Sequence, residues 1–258
     1  MFVGVVLGLP VLYWAAFSVA RGANVELPRD MLGALRGFGP TIAALVALVY
    51  LNDKGSIRSL WASVIKWRIS GRLYAIALLA PMAAMALALL ITYFNNPEVF
   101  ALGDINVIKL VAIFFILPIV DGPLGEEIGW RGFFLPLLMQ RHNAIMASLI
   151  VALVWFLWHL PHYQVDGRDM SGDLLPRYLI FTVALSFIHT WLFKRAQGSV
   201  LIHVIFHNMV NYMVLLSFTL FPAVATVALG ETIYFVAMVA LGAMAGLSIW
   251  RQSLSDRL

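Results

Sequence analysis

Long apolar runs broken by short polar stretches set the pattern of this chain. A helix that crosses the hydrocarbon core of a bilayer needs about 20 mostly apolar residues. On that measure the pattern predicts eight spans, at 1–20, 31–51, 73–93, 107–120, 144–160, 178–193, 200–221 and 233–250. The second is read from the apolar run 41–51, extended backward through Gly37, Gly39 and Pro40. The fourth is the hardest to close, because Pro118, Gly122, Pro123 and Gly125 interrupt it. Short loops with turn residues separate the spans, such as Asn95-Asn96-Pro97 and Asp166-Gly167-Arg168. No linker divides the chain and no internal repeat stands out, so 1–258 reads as one all-α membrane domain, a polytopic transmembrane helical bundle. The first segment reads as a retained span. No Lys or Arg precedes it, and it exceeds the roughly 7–15 apolar residues of a cleaved leader.

Composition turns this pattern into an exclusion. The chain is 62% hydrophobic and 12% charged, with a mean hydropathy of +0.91, against about 45–50% and about 25% in ordinary soluble domains. A soluble enzyme is excluded, and so is a disordered chain, which needs low hydrophobicity and high net charge. The absence of cysteine removes disulfides, thiolate nucleophiles and Cys-bound zinc. The net charge of +4 serves to orient the chain in a bilayer rather than to bind nucleic acid. With the N-terminus inside, eleven Lys and Arg fall on the inner side and five on the outer, which predicts cytoplasmic termini.

Ionisable side chains at membrane depth are costly, about 2.5–3.5 kcal/mol on insertion scales, and need an explanation. Three clusters stand out: Glu126-Glu127 with Arg131, His159 with His162, and His203, His207 and Asn211. Residues 124–139 read as a helix after a Pro/Gly break, so Glu127 and Arg131 share a face and can pair. Glu126 is rotated about 100° from them and is left to face a cavity as a general base. The plainer alternative is two acids at a helix N-terminus, where negative charge is favourable. His159 closes an apolar aromatic run, and His162, after Pro161, reads as a loop residue. His203, His207 and Asn211 form one polar stripe at four-residue spacing, suited to stabilising an oxyanion or to bonding between helices. Two histidines and a carboxylate also make a zinc ligand set, although the usual HExxH helix is absent.

Glu126-Glu127-x-x-x-Arg131, an aromatic-x-x-x-His159 and His207-x-x-x-Asn211, in this order, resemble the motif series of the CAAX protease and bacteriocin-processing family, which includes the CAAX prenyl endopeptidases. The resemblance covers about 107–221, the expected catalytic core, with 1–106 and 222–258 as accessory spans. Where the family usually has Phe, four residues before the histidine, this chain has Trp155, a swap expected to affect packing more than chemistry. The resemblance implies an intramembrane endopeptidase that works through activated water. Glu126 would be general base, assisted by His159; His207 and Asn211 would hold the oxyanion; Glu127 and Arg131 would position the site. It implies a peptide or protein substrate at the membrane and no cofactor, with zinc on Glu126, His159 and His207 as the minority alternative. Two rivals compete with hydrolysis: a non-enzymatic immunity or partner-binding relative, and a proton-coupled transporter, for which the repeated halves of many carriers are missing. For these groups to meet, residues 118–139 must dip back into the bilayer, or the fifth span must start later, with 118–125 lining a cavity.

Overall fold

The computed structural model describes residues 1–23, 25, 36–120, 122–165 and 172–255. Every regular element among them is helical. Seven helical stretches are long and apolar enough to cross a membrane. They include α1 (Phe2–Gly22), α4 (Gly71–Asn95), α8 (Ala144–Val165), α9 (Leu174–Arg195), α10 (Leu201–Leu220) and α11 (Ala228–Ser255). The remaining stretch, Val107–Met139, is broken into α5 (Val107–Val120), α6 (Pro123–Glu127), a π-helical segment (Ile128–Phe134) and α7 (Leu135–Met139).

The second predicted span is a shorter apolar helix, α2 (Gly39–Tyr50), which begins with Pro40 in its first turn. Its 12 residues reach about 18 Å, well short of a hydrocarbon core of about 30 Å. The predicted start of that span at 31–35 and the predicted loop at 166–168 lie outside the described residues. Between α2 and α4 lies a helix absent from the span reading, α3 (Lys54–Val64), which buries only Leu60. Asp53 caps it, accepting from the Ser56 amide at 2.9 Å.

The packing is that of a membrane bundle. On α5 only Leu110 is buried, while Ile108 (83% exposed) and Phe115 point outward, as lipid-facing side chains do. Thr92, Glu127, Arg131, Ser148, His189 and His203 are buried instead. The helix α9 packs between α8 and α11, and α4 packs on α10 and α11. The helix α2 lies against α6 and the π-helical segment. That contact depends on Gly125 and Gly129, four residues apart. A Cβ on Gly125 would stand 2.6 Å from the Gly37 carbonyl oxygen, and one on Gly129 would strike the Pro40 backbone. Thr41 Oγ1 donates to the Gly125 carbonyl at the same crossing. Small residues at this spacing let two helix backbones approach closely.

Candidate active site

The site begins at a turn. Gly122 has φ +101°, a conformation that costs glycine little, and it swings the chain from α5 into α6. The Glu126 amide donates to the Gly122 carbonyl at 2.7 Å, and the Glu126 carboxylate folds back over Gly122, where a Cβ would meet Oε1. The regular helix expected over 124–139 widens into the π-helical segment at Ile128–Phe134. Pro136, which cannot donate to the carbonyl four residues back and crowds it, gives a local reason for the distortion. Single π turns inside helices recur at functional sites.

Glu126, Gly122, Trp155, His159, His207 and Asn211 line one cavity of about 480 Å³. The expected meeting of the three motifs is therefore achieved. The fifth span starts where predicted but runs on to Val165, so His159 lies more than a turn from its end rather than at it. The turn at Gly122 leads into the helix that carries Glu126, and among the described residues of 118–125 Gly122 lines the hollow. His159 Nδ1 lies 3.0 Å from the Trp155 carbonyl oxygen. A carbonyl only accepts, so Nδ1 carries the proton and Nε2 is the basic nitrogen. Trp155 Nε1 donates to Glu126 Oε2 at 2.6 Å, and the Arg131 guanidinium stacks over the same indole at 4.4 Å. The Trp-for-Phe difference thus changes chemistry as well as packing, because Phe has no N–H to give Glu126.

Behind Glu126, Glu127 is completely buried. Its Oε1 accepts from Arg131 Nη1 at 2.9 Å and from His207 Nδ1 at 2.8 Å. His203 leaves the expected stripe and meets His189, Nδ1 to Nδ1, at 3.0 Å. Each four-residue step along a helix of 3.6 residues per turn overshoots by about 40°. Over two steps His203 and Asn211 diverge by about 80°, enough to put them in different surroundings. Asn208, one position off that stripe, donates to the Phe114 carbonyl at 3.1 Å and so bonds α10 to α5. His162 is not a loop residue: α8 continues through Pro161, and His162 is 3% exposed on the cavity wall.

His189 was missed by sequence reading, although a lone histidine inside the apolar run 178–193 carries the same warning as the others. Among the described residues, the metal-capable set with donor atoms within 4.8 Å of one another is Glu127, His189 and His203, not Glu126, His159 and His207. Its fit to a dication is poor. The Glu127 carboxylate already carries the Arg131 guanidinium, and a further two positive charges beside it would lack a counter-ion at membrane depth.

This is a polytopic membrane protein whose polar groups gather around a buried acidic and imidazole-lined hollow. Residues 108–213 match the family of Type II CAAX prenyl endopeptidase Rce1-like proteins. Over 92 residues the chain is 28% identical to the CAAX prenyl protease 2 of Methanococcus maripaludis. That alignment spans about a third of each protein, 33% of this chain and 34% of the relative. The three motifs fall inside the matched residues, so over this stretch the chain is similar to the CAAX prenyl endopeptidases in both family pattern and motif order.

Proposed function

We propose that this chain is an intramembrane endopeptidase that hydrolyses a peptide bond with activated water. One observation carries the reading: Glu126, His159, His207 and Asn211, supplied by three helical stretches, line a single cavity. Glu126 takes a proton from water as its oxygen attacks the substrate carbonyl carbon, and His159 Nε2 assists. His207 and Asn211 donate to the oxyanion that forms, and the proton held by the carboxyl passes to the leaving amine. His207 can donate from Nε2 while Nδ1–H serves Glu127 only in its doubly protonated form. The charges then balance: Glu126 and Glu127 against Arg131 and the His207 imidazolium. A neutral set is what a low-dielectric site accommodates at least cost.

The substrate is a peptide or protein segment held in or at the bilayer. Phe181, Leu185, Val210, Val214 and Leu215 on the cavity wall suit apolar side chains or an apolar attachment. The chain sits in a cell membrane as a multi-pass protein held, among the described residues, by seven crossing stretches, an odd number that would set its termini on opposite sides rather than both in the cytoplasm.

The test is proteolysis in reconstituted vesicles, scored by new peptide termini from a membrane-protein substrate pool. Wild-type protein should produce termini that Glu126→Gln and His207→Ala do not, with all three proteins equally folded. Full activity in Glu126→Gln would remove the general base and with it the proposal.

A further inference from the structure

We infer that Trp155 is a positioning residue for the hydrolysis proposed above, an inference that rests on the assignment of Glu126 as base. The relevant geometry is the meeting of two bonds on one indole. Its Nε1–H points at Glu126 Oε2 from 2.6 Å, and its face carries Arg131 at 4.4 Å. Arg131 in turn holds Glu127, and Glu127 holds His207. The indole therefore joins the base on one side to the group that orients the oxyanion donor on the other. Its edge-to-face contact with His207, ring centroids 5.5 Å apart, closes the circuit.

Each link has a physical consequence. A carboxylate has two oxygens, and a base must present one of them to water. A charge-assisted N–H bond on Oε2 stops the carboxylate from spinning and leaves Oε1 to act. Oε1 is the oxygen folded over Gly122, so the turn and the indole hold the carboxyl from two sides. Trp155 is 2% exposed, so water does not compete for its N–H. The ring also rests at 6.0 Å from the His189 ring, which fixes the indole plane from behind. A phenyl ring at this position would still offer an aromatic face to Arg131 and His207, but would lose the bond to the base and the volume of the second ring.

The two losses can be separated by the choice of side chain. Two replacements remove the N–H: Trp155→Phe, and incorporation of 3-benzothienylalanine at 155, which keeps the bicyclic shape and puts sulfur where the N–H was. Both should lower kcat about ten- to a hundred-fold, the scale of losses from misoriented catalytic groups. In the benzothienylalanine protein KM and melting temperature should stay near wild type and the acidic limb of the pH–rate profile should be displaced, whereas Trp155→Phe should also melt lower because it leaves a void. Trp155→Ala, which also frees Arg131, should lower the melting temperature as well.

Wild-type kcat and pH profile in the benzothienylalanine protein would overturn the inference, and so would a loss that appears only as a lower melting temperature. Glu126→Gln separates the two layers. If it is inactive while the benzothienylalanine protein is fully active, only the role of Trp155 fails. If Glu126→Gln itself is active, the base assignment fails.

Discussion

His207 Nδ1 stands 2.8 Å from Glu127 Oε1, and the same oxygen receives Arg131 Nη1 at 2.9 Å. One carboxylate oxygen thus accepts the Nδ1–H of a histidine on α10 and neutralises a guanidinium that is 1% exposed. The two adjacent glutamates are consequently not equivalent. Glu126 faces the cavity, whereas Glu127 is the counter-ion of the bundle interior.

The first prediction follows from that division. Glu127→Gln strands a buried guanidinium, and breaking such a pair by removing one partner costs roughly 3–5 kcal/mol. It should lower the melting temperature sharply and abolish hydrolysis. Glu126→Gln should abolish hydrolysis with little change in melting. Thermal unfolding of both variants in detergent or lipid checks the pairing, and equal melting losses would show that the roles are not divided in this way.

A second prediction concerns the turn. At Gly122 the positive φ and the Glu126 carboxylate leave no room for a side chain. Gly122→Ala should therefore displace the carboxyl and reduce kcat by about a hundred-fold, the scale seen when a catalytic group moves by about 1 Å. The measurement is kcat against KM on any substrate identified in vesicles. An unchanged kcat would mean that Glu126 reaches water from another rotamer.

Much of this arrangement was legible in the chain. Apolar runs located the membrane helices, and the cost of charge at membrane depth singled out Glu126, Glu127, Arg131, His159 and His207. What escaped was decided by direction rather than by presence. The drift of 3.6 residues per turn carried His203 away from His207 toward His189 on another helix. Pro161 suggested a helix end, yet α8 runs through it, as membrane helices tolerate when neighbours restore the lost bond. The Trp155 N–H found Glu126 across 29 positions of sequence, a distance no local pattern encodes. The short α2 was overextended because a Gly/Pro break and a span entrance look alike without knowing the packing partner.

That partner yields a third prediction. The crossing of α2 over Gly125 and Gly129 leaves no space for a methyl group at Gly129. Overpacking of this kind costs about 1–3 kcal/mol. Gly129→Ala should lower the melting temperature, and Gly129→Leu should prevent folding to a monodisperse protein. Gly4, with open space around it, serves as the control and should accept alanine without loss. Equal effects at the two positions would contradict the close crossing.

The charge balance around Glu127 makes a fourth prediction, about metal. With Arg131 on Glu127 and Glu126 as base, a dication has no uncompensated anion to bind. Hydrolysis should survive strong chelators at full rate, and His189→Gln should leave the metal content of the purified protein unchanged. Complete inhibition by a chelator, reversed by zinc, would install a metal at one of the two Glu/His sets and displace Glu126 as the sole activator of water.

A final prediction lies outside the membrane, at the start of α3. Asp53 accepts from both the amide (2.9 Å) and the hydroxyl (2.6 Å) of Ser56, and these bonds hold its carboxyl below the ordinary value of 3.8. A carboxyl lowered on folding stabilises the folded state above its unfolded pKa, and that contribution fades as the pH falls through the folded value. The first turn of α3 should therefore be equally protected at neutral and mildly acidic pH and should loosen below about pH 3.8. Asp53→Asn keeps an acceptor at the cap but has no proton to gain, so its first turn should show no such step. Hydrogen exchange at Ser56 and Ile57, read for both proteins across that pH range and corrected for intrinsic rates, makes the comparison. A step of the same size in Asp53→Asn would assign the acid sensitivity to another group.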